Sequence, residues 1–262
     1  MSLSVLSSVV RVPPLTRTPL KRLLTSLRVT IPPSSFRAAA VPRSISQLNE
    51  TVEAAAAGTP LASSMPAEEV AEERAKLFVH EPRREDKTVP SPRGPIGLSI
   101  FRPASSKPPR ACYFHIHGGG FVVGSAFGQN DARLQKLADD LHVVVASVDH
   151  GLSPEHQYPV PVEDCLAAAL WLAGDDGAQC TGTRAMLAGG ESAGAHLLLS
   201  VFLRLRALAA TPGQAHLSPS SLFRCVNLVY GWYDLGGTPS MLRFSRRLVM
   251  NNEELHWYAE QY

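Results

Sequence analysis

From about residue 85 onward, short apolar runs alternate with longer stretches of helical periodicity. The runs IGLSIF (96–101), ACYFHIH (111–117), VVVASVD (143–149), RAMLAGG (184–190) and CVNLVY (225–230) predict strands. Stretches with apolar residues three and four apart predict helices over roughly 129–141, 161–173 and 193–209. The first two runs stand close together, as in a hairpin. After them strand and helix alternate, which predicts a mostly parallel sheet with helices on both faces, an α/β fold. Upstream, 67–80 (AEEVAEERAKLFVH) reads as a charged surface helix, and 50–66 as a short helix and linker ahead of a main domain over 81–262. The last stretch, NNEELHWYAEQY, reads as a helix carrying His256 and Trp257.

Residues 1–49 differ from the rest. They hold seven basic residues (Arg11, Arg17, Lys21, Arg22, Arg28, Arg37, Arg43) and no acid. Within them Leu20, Leu23, Leu24, Leu27 and Ile31 share one helical face. A basic, acid-free, amphipathic head suits either an organellar transit peptide or a disordered basic tail. It lacks the compact apolar core of a secretory signal, so a cytoplasmic or mitochondrial address is expected rather than secretion. The whole chain carries 25 basic and 23 acidic residues, so removing the seven leaves 18 against 23, a mildly acidic body with no nucleic-acid patch. No apolar run is long enough to suggest a membrane-spanning helix. The four cysteines (112, 165, 180, 225) form no C-x-x-C pair, which points to reduced structural thiols and away from a metal knuckle.

Candidate chemistry sits where strands should end. HIHGGGFVVGS (115–125) places three glycines at the carboxyl end of a strand, where open α/β sheets bind ligands. Glycines there let backbone N–H groups approach a bound group, as stabilisation of a developing oxyanion requires. Downstream, Gly190-Glu191-Ser192-Ala193-Gly194 is a G-x-S-x-G match between an apolar run (185–188) and a helical pattern (195–209). Strand, sharp turn, helix is the context in which such a serine is lifted above a sheet, facing the N–H groups of a helix N-terminus.

Three stretches in this order carry a resemblance: HGGGFVVGS, SVDHGLSPEHQYPVPVEDC (147–165) and AGGESAGAHL. Together they resemble the hormone-sensitive-lipase-like branch of the α/β-hydrolases, over about two thirds of the chain. The resemblance implies an α/β-hydrolase fold and a serine hydrolase of small or medium acyl esters, without cofactor or metal. Ser192 would be the nucleophile, and the N–H groups of Gly118, Gly119 and Ala193 the oxyanion hole. His117 would order its loop rather than act as base, and Glu155 and His156 would be structural. Residues 50–80 and segments after 230 would build a cap over the site. The sequence departs from the family pattern at His150-Gly151 (usually Tyr-Arg), Ser153 (Ala), Glu191 (Asp) and Ala195 (Gly). The missing arginine at 151 puts the packing of that loop in question.

A triad needs an acid and then a histidine after the serine. The acids after Ser192 are Asp234, Glu253, Glu254 and Glu260, and the histidines are His196, His216 and His256. Asp234 and His256 satisfy the order but not the family's positions, and His196 should point away from the site. With about five predicted strands where the fold normally has eight, the sequence reads as truncated at its C-terminus, with acid and base beyond residue 262. The rival readings are a catalytically impaired fragment or a binding protein on the same scaffold, and amide rather than ester hydrolysis.

Overall fold

The computed structural model describes residues 80–236, 238 and 252–262. The basic head, the 50–66 segment and almost all of the 67–80 helix expected from sequence lie outside the described residues. A six-stranded sheet organises the rest. Its strands are β1 (Glu85–Val89), β2 (Ile96–Phe101), β3 (Cys112–Ile116), β4 (Val144–Asp149), β5 (Met186–Glu191) and β6 (Phe223–Val229), in the spatial order β1-β2-β4-β3-β5-β6. Strands β1 and β2 run antiparallel to each other and β2 to β4, while β4, β3, β5 and β6 are mutually parallel.

The helices are α1 (Asp131–Leu141), α2 (Val160–Ala173), α3 (Asp175–Thr181), α4 (Ala193–Ala209), α5 (Pro219–Leu222) and α6 (Asn252–Gln261), with a 3-10 turn at Ala215–Leu217. The period-2 pleat sorts side chains to two faces. Phe114, Ile116, Ala146, Val148 and Ala188 face α2 and α4, where Val162, Cys165, Ala169 and Leu172 recur at helical spacing and meet Leu198, Val201 and Leu205. Phe101 and Val145 face the other way, onto Leu134 and Ala138 of α1. Each fully buried Phe or Leu contributes about 1.5–3 kcal/mol, so this two-sided core fixes the strand ends that carry the loops.

Two expectations change. The runs at 96–101 and 111–117 do not form a hairpin, because β4 lies between β2 and β3. The hairpin is β1–β2, and β1 escaped notice because EDKTV is an edge strand with one buried residue and no apolar run. The loop at 151, whose packing the missing arginine put in question, is anchored by an ion pair. Asp164 of α2, fully buried, accepts the Gly151 N–H at 2.8 Å and is paired with the guanidinium of Arg93 from the β1–β2 turn. The His156 ring packs on Gly151, filling the space a side chain there would need.

Arg93→Ala would leave the buried Asp164 carboxylate with a single backbone donor. Because Arg93 is itself partly exposed, the expected loss is about 2 kcal/mol, below the 3–5 of a fully buried pair. A urea midpoint lowered accordingly, and largely restored in Arg93→Lys, checks this.

Candidate active site

Where β3 ends at Ile116 the chain enters the glycine loop. Gly119 (φ +127°), Gly120 (φ +60°) and Phe121 (φ 67°) turn it back, and the carbonyl of Gly119 accepts N–H groups from Val122 (3.1 Å) and Val123 (3.0 Å). A Cβ at Gly119 would lie 1.9 Å from the Val123 carbonyl oxygen, so this turn requires glycine. The far end of the loop is tied to β4: Asp149 accepts the Ser125 hydroxyl at 2.9 Å and the Ala126 N–H at 2.8 Å. Its middle is tied to the 150–158 loop, where the Ser153 N–H donates to the Phe121 carbonyl at 2.9 Å.

Ser192 stands between the end of β5 and the start of α4 with φ 53° and ψ −121°. A non-glycine residue held there stores about 1–3 kcal/mol of strain. Its N–H donates to Val229 of β6 at 2.9 Å, and its carbonyl accepts the N–H groups of Ala195 and His196 at 3.1 and 3.2 Å. The turn fits because the flanking residues have no side chain: a Cβ at Gly194 would lie 2.1 Å from the Ile116 carbonyl oxygen, and one at Gly190 would lie 2.7 Å from the Gly194 backbone.

The two turns meet. A Cβ at Gly118 would stand 3.2 Å from the Ser192 Cβ and 2.9 Å from the Glu191 carbonyl oxygen. Gly118 is thereby brought to Ser192, with Gly119 and Ala193 their neighbours in the chain. The N–H groups of Gly118, Gly119 and Ala193 make no hydrogen bond among the described residues. Ala193 is the first residue of α4, so that helix directs its N-terminal partial positive charge at the same place.

Two polar groups lie beneath. His117, fully buried, donates Nδ1–H to the Gly118 carbonyl at 2.8 Å and stacks on His150 at 4.3 Å between ring centroids. Burial drives the His117 pKa well below the ordinary histidine value, and its neighbour His150, itself lowered by burial, adds to this. Both rings are thus neutral, and the loop-ordering part expected of His117 matches its hydrogen bond. On the α1 face, Glu191 bonds to His115 at 3.0 Å and to Arg133 at 3.0 Å. Burial raises its carboxyl, but the His115 hydrogen bond and the charges around it prevail and hold it down to about 2. Sequence reasoning passed over His115 and Arg133, which lie 76 and 58 residues from their partner.

The later acids and histidines are not gathered at Ser192. Asp234 and His256 are both exposed, and no hydrogen bond or ion pair joins them; Asp234 instead accepts the Gly236 N–H at 3.0 Å. His216 and Glu260 are exposed, and the side chains of Glu253 and Glu254 lie outside the described residues. His196, expected to point away from the site, donates Nδ1–H to the Trp232 carbonyl at 2.6 Å and meets Phe121 edge-on at 5.2 Å. Helix α6 lies over that loop, with Tyr258 against Gly120 and Tyr262 stacked on Phe121 at 4.0 Å. Among the described residues no group of three or more His, Cys, Asp or Glu could hold a metal ion, and no helix is long and apolar enough to cross a membrane.

The chain is similar to known proteins. The profile of the alpha/beta hydrolase fold family matches residues 113–262. Esterase LipI of Mycobacterium tuberculosis is 35% identical over 132 residues, 48% of this chain and 40% of that protein. Carboxylic ester hydrolase LipN of the same organism is 30% identical over 181 residues, 68% of this chain and 46% of that protein. An esterase of Pyrobaculum calidifontis superposes with a TM-score of 0.65 at 25% identity, covering 86% of this chain and 66% of that one. The chain spans less than half the length of the two mycobacterial relatives. A match across more than half the chain, with the sheet order and the serine turn described above, shows that it belongs to the alpha/beta hydrolase fold family.

Proposed function

We propose that the chain is built for serine-dependent hydrolysis of carboxylic esters of small or medium acyl chain. The observation that carries this reading is the approach of Gly118 to Ser192, which supports a shared site for the glycine-loop donors and the strained serine. The Ser192 oxygen attacks the ester carbonyl carbon, and the carbonyl oxygen becomes an oxyanion bound by the N–H groups of Gly118, Gly119 and Ala193. Collapse expels the alcohol, which takes up the serine's proton, and leaves an acyl-serine that water then cleaves to acid and free serine. Relatives named as esterases support the ester class.

A serine needs a base, and no histidine–carboxylate pair stands at Ser192 among the described residues. The separation of Asp234 from His256 favours a second reading for the chain by itself, a scaffold that captures acyl compounds with little turnover. The acid-free head supports a mitochondrial or cytoplasmic address.

An alkyl fluorophosphonate probe tests the first reading, with p-nitrophenyl acetate hydrolysis separating it from the second. Covalent label on Ser192, absent in Ser192→Ala, supports the serine mechanism, and label without turnover supports the second reading. Absence of label on the folded protein contradicts both. In Gly118→Ala the new methyl group presses on Ser192 and shifts a donor, so labelling should slow by about 100-fold.

The loop also sets an acid limit. His117 and His150 have folded pKa values below their unfolded values near 6.5, so the unfolded chain binds more protons as pH falls. Their contribution is complete at neutral pH and is lost progressively below about 6.5. The melting temperature should therefore drop between pH 7 and 5. His150→Phe, which keeps a stacked ring without a titrating group, should flatten that slope in calorimetry across the same range.

A further inference from the structure

The residue before the serine is held more firmly than any turn needs. On β5, Glu191 falls on the α1 face, the face to which β3 turns His115 and β4 turns Ser147; His115 and Ser147 are direct register partners across the parallel pair. His115 and Ser147 are fully buried. The Glu191 carboxylate, ionised and so an acceptor only, takes Nε2–H of the His115 ring at 3.0 Å. On the other side of the ring, His115 Nδ1 and the Ser147 hydroxyl share a hydrogen bond at 2.9 Å. The other carboxylate oxygen takes Arg133 Nη2 at 3.0 Å and Asn130 Nδ2 at 3.4 Å, from the beginning of α1 and the residue before it.

We propose that Glu191 is a positioning residue for Ser192, a brace that ties the strained turn to β3, β4 and α1. Backbone strain of the kind seen at Ser192 persists only where its surroundings over-determine it. Hydrogen bonds to Val229, Ala195 and His196 hold Ser192 from the β6 and α4 sides. Glu191 holds it from the remaining side, through charge-assisted bonds, the strong class. Its consequence for reactivity rests on the serine-hydrolase reading above; its consequence for the turn does not.

Glu191→Gln presents an amide where two donors converge, and Arg133→Gln removes the charge from a side chain exposed enough for the variant to fold. Hydrogen exchange of peptides covering 189–196 reads the turn directly, through the N–H groups of Ser192, Ala195 and His196. In Glu191→Gln this exchange should quicken at least tenfold, with peptides of α2 unchanged and fluorophosphonate labelling of Ser192 slowed at least tenfold. Arg133→Gln should move both in the same direction by about threefold, and Arg133→Lys should restore them. The 15N signals of His115 should show Nε2 protonated in the unsubstituted chain and lose that preference in Glu191→Gln. Exchange of 189–196 unchanged in both Gln variants would overturn the proposal, as would a rise shared equally by α2, which would make Glu191 a general stability residue. If Ser192 takes no label in any form, the hydrolase reading falls and the exchange data alone decide the brace.

Discussion

Backbone packed on backbone at the ends of β3 and β5 is the constraint on which the molecule turns. These strands are neighbours, with Ile116 opposite Gly190, so the two loops that leave them emerge side by side. Each must reverse within a few residues while the other occupies the space alongside. Gly194 sits against the Ile116 carbonyl, and Gly118 against Ser192. Side chains at these positions would hold the loops apart and separate the serine from the free amides. The glycines, which cost local stability by the freedom they lose on folding, are needed because nothing larger allows the contact.

Around this contact the body uses acids as anchors. Asp149 ties the end of the glycine loop to β4, Asp131 ties Gly128 and Arg84 to the start of α1, and Asp164 ties Gly151 to Arg93. Glu191 does the same for the serine turn. Each is a carboxylate that exchanges water for backbone N–H groups or a guanidinium, so it orders an irregular segment without help from an apolar core.

The regular elements were legible because their patterns are local. The apolar run 96–101 and the periodic stretch 193–209 coincide with β2 and α4, and the serine turn and glycine loop stand where their motifs put them. Strand β1 was not legible, since an edge strand with a single buried residue carries no hydrophobic signature. The supposed hairpin failed because closeness in sequence does not show which strand β4 will separate. The pairings that hold the site, His115 with Glu191, His117 with His150 and Arg93 with Asp164, join residues 33 to 76 positions apart. No spacing rule reaches that far. Of the five positions where the sequence departs from its family, 150, 151, 153, 191 and 195, three supply His150, Gly151 and Glu191 to the contacts described above.

The central claim is that the amides after His117 and the oxygen of Ser192 act on one carbonyl group of a bound ester, the amides on its oxygen and Ser192 on its carbon. A crystal structure of the chain soaked with a small alkyl phosphonate would examine that directly. The account predicts a phosphorus–oxygen bond to Ser192, with the phosphoryl oxygen within hydrogen-bonding distance of the nitrogens of Gly118 or Gly119 and of Ala193. A phosphonate bound to Ser192 with its phosphoryl oxygen turned to solvent, or attached to another residue altogether, would contradict it.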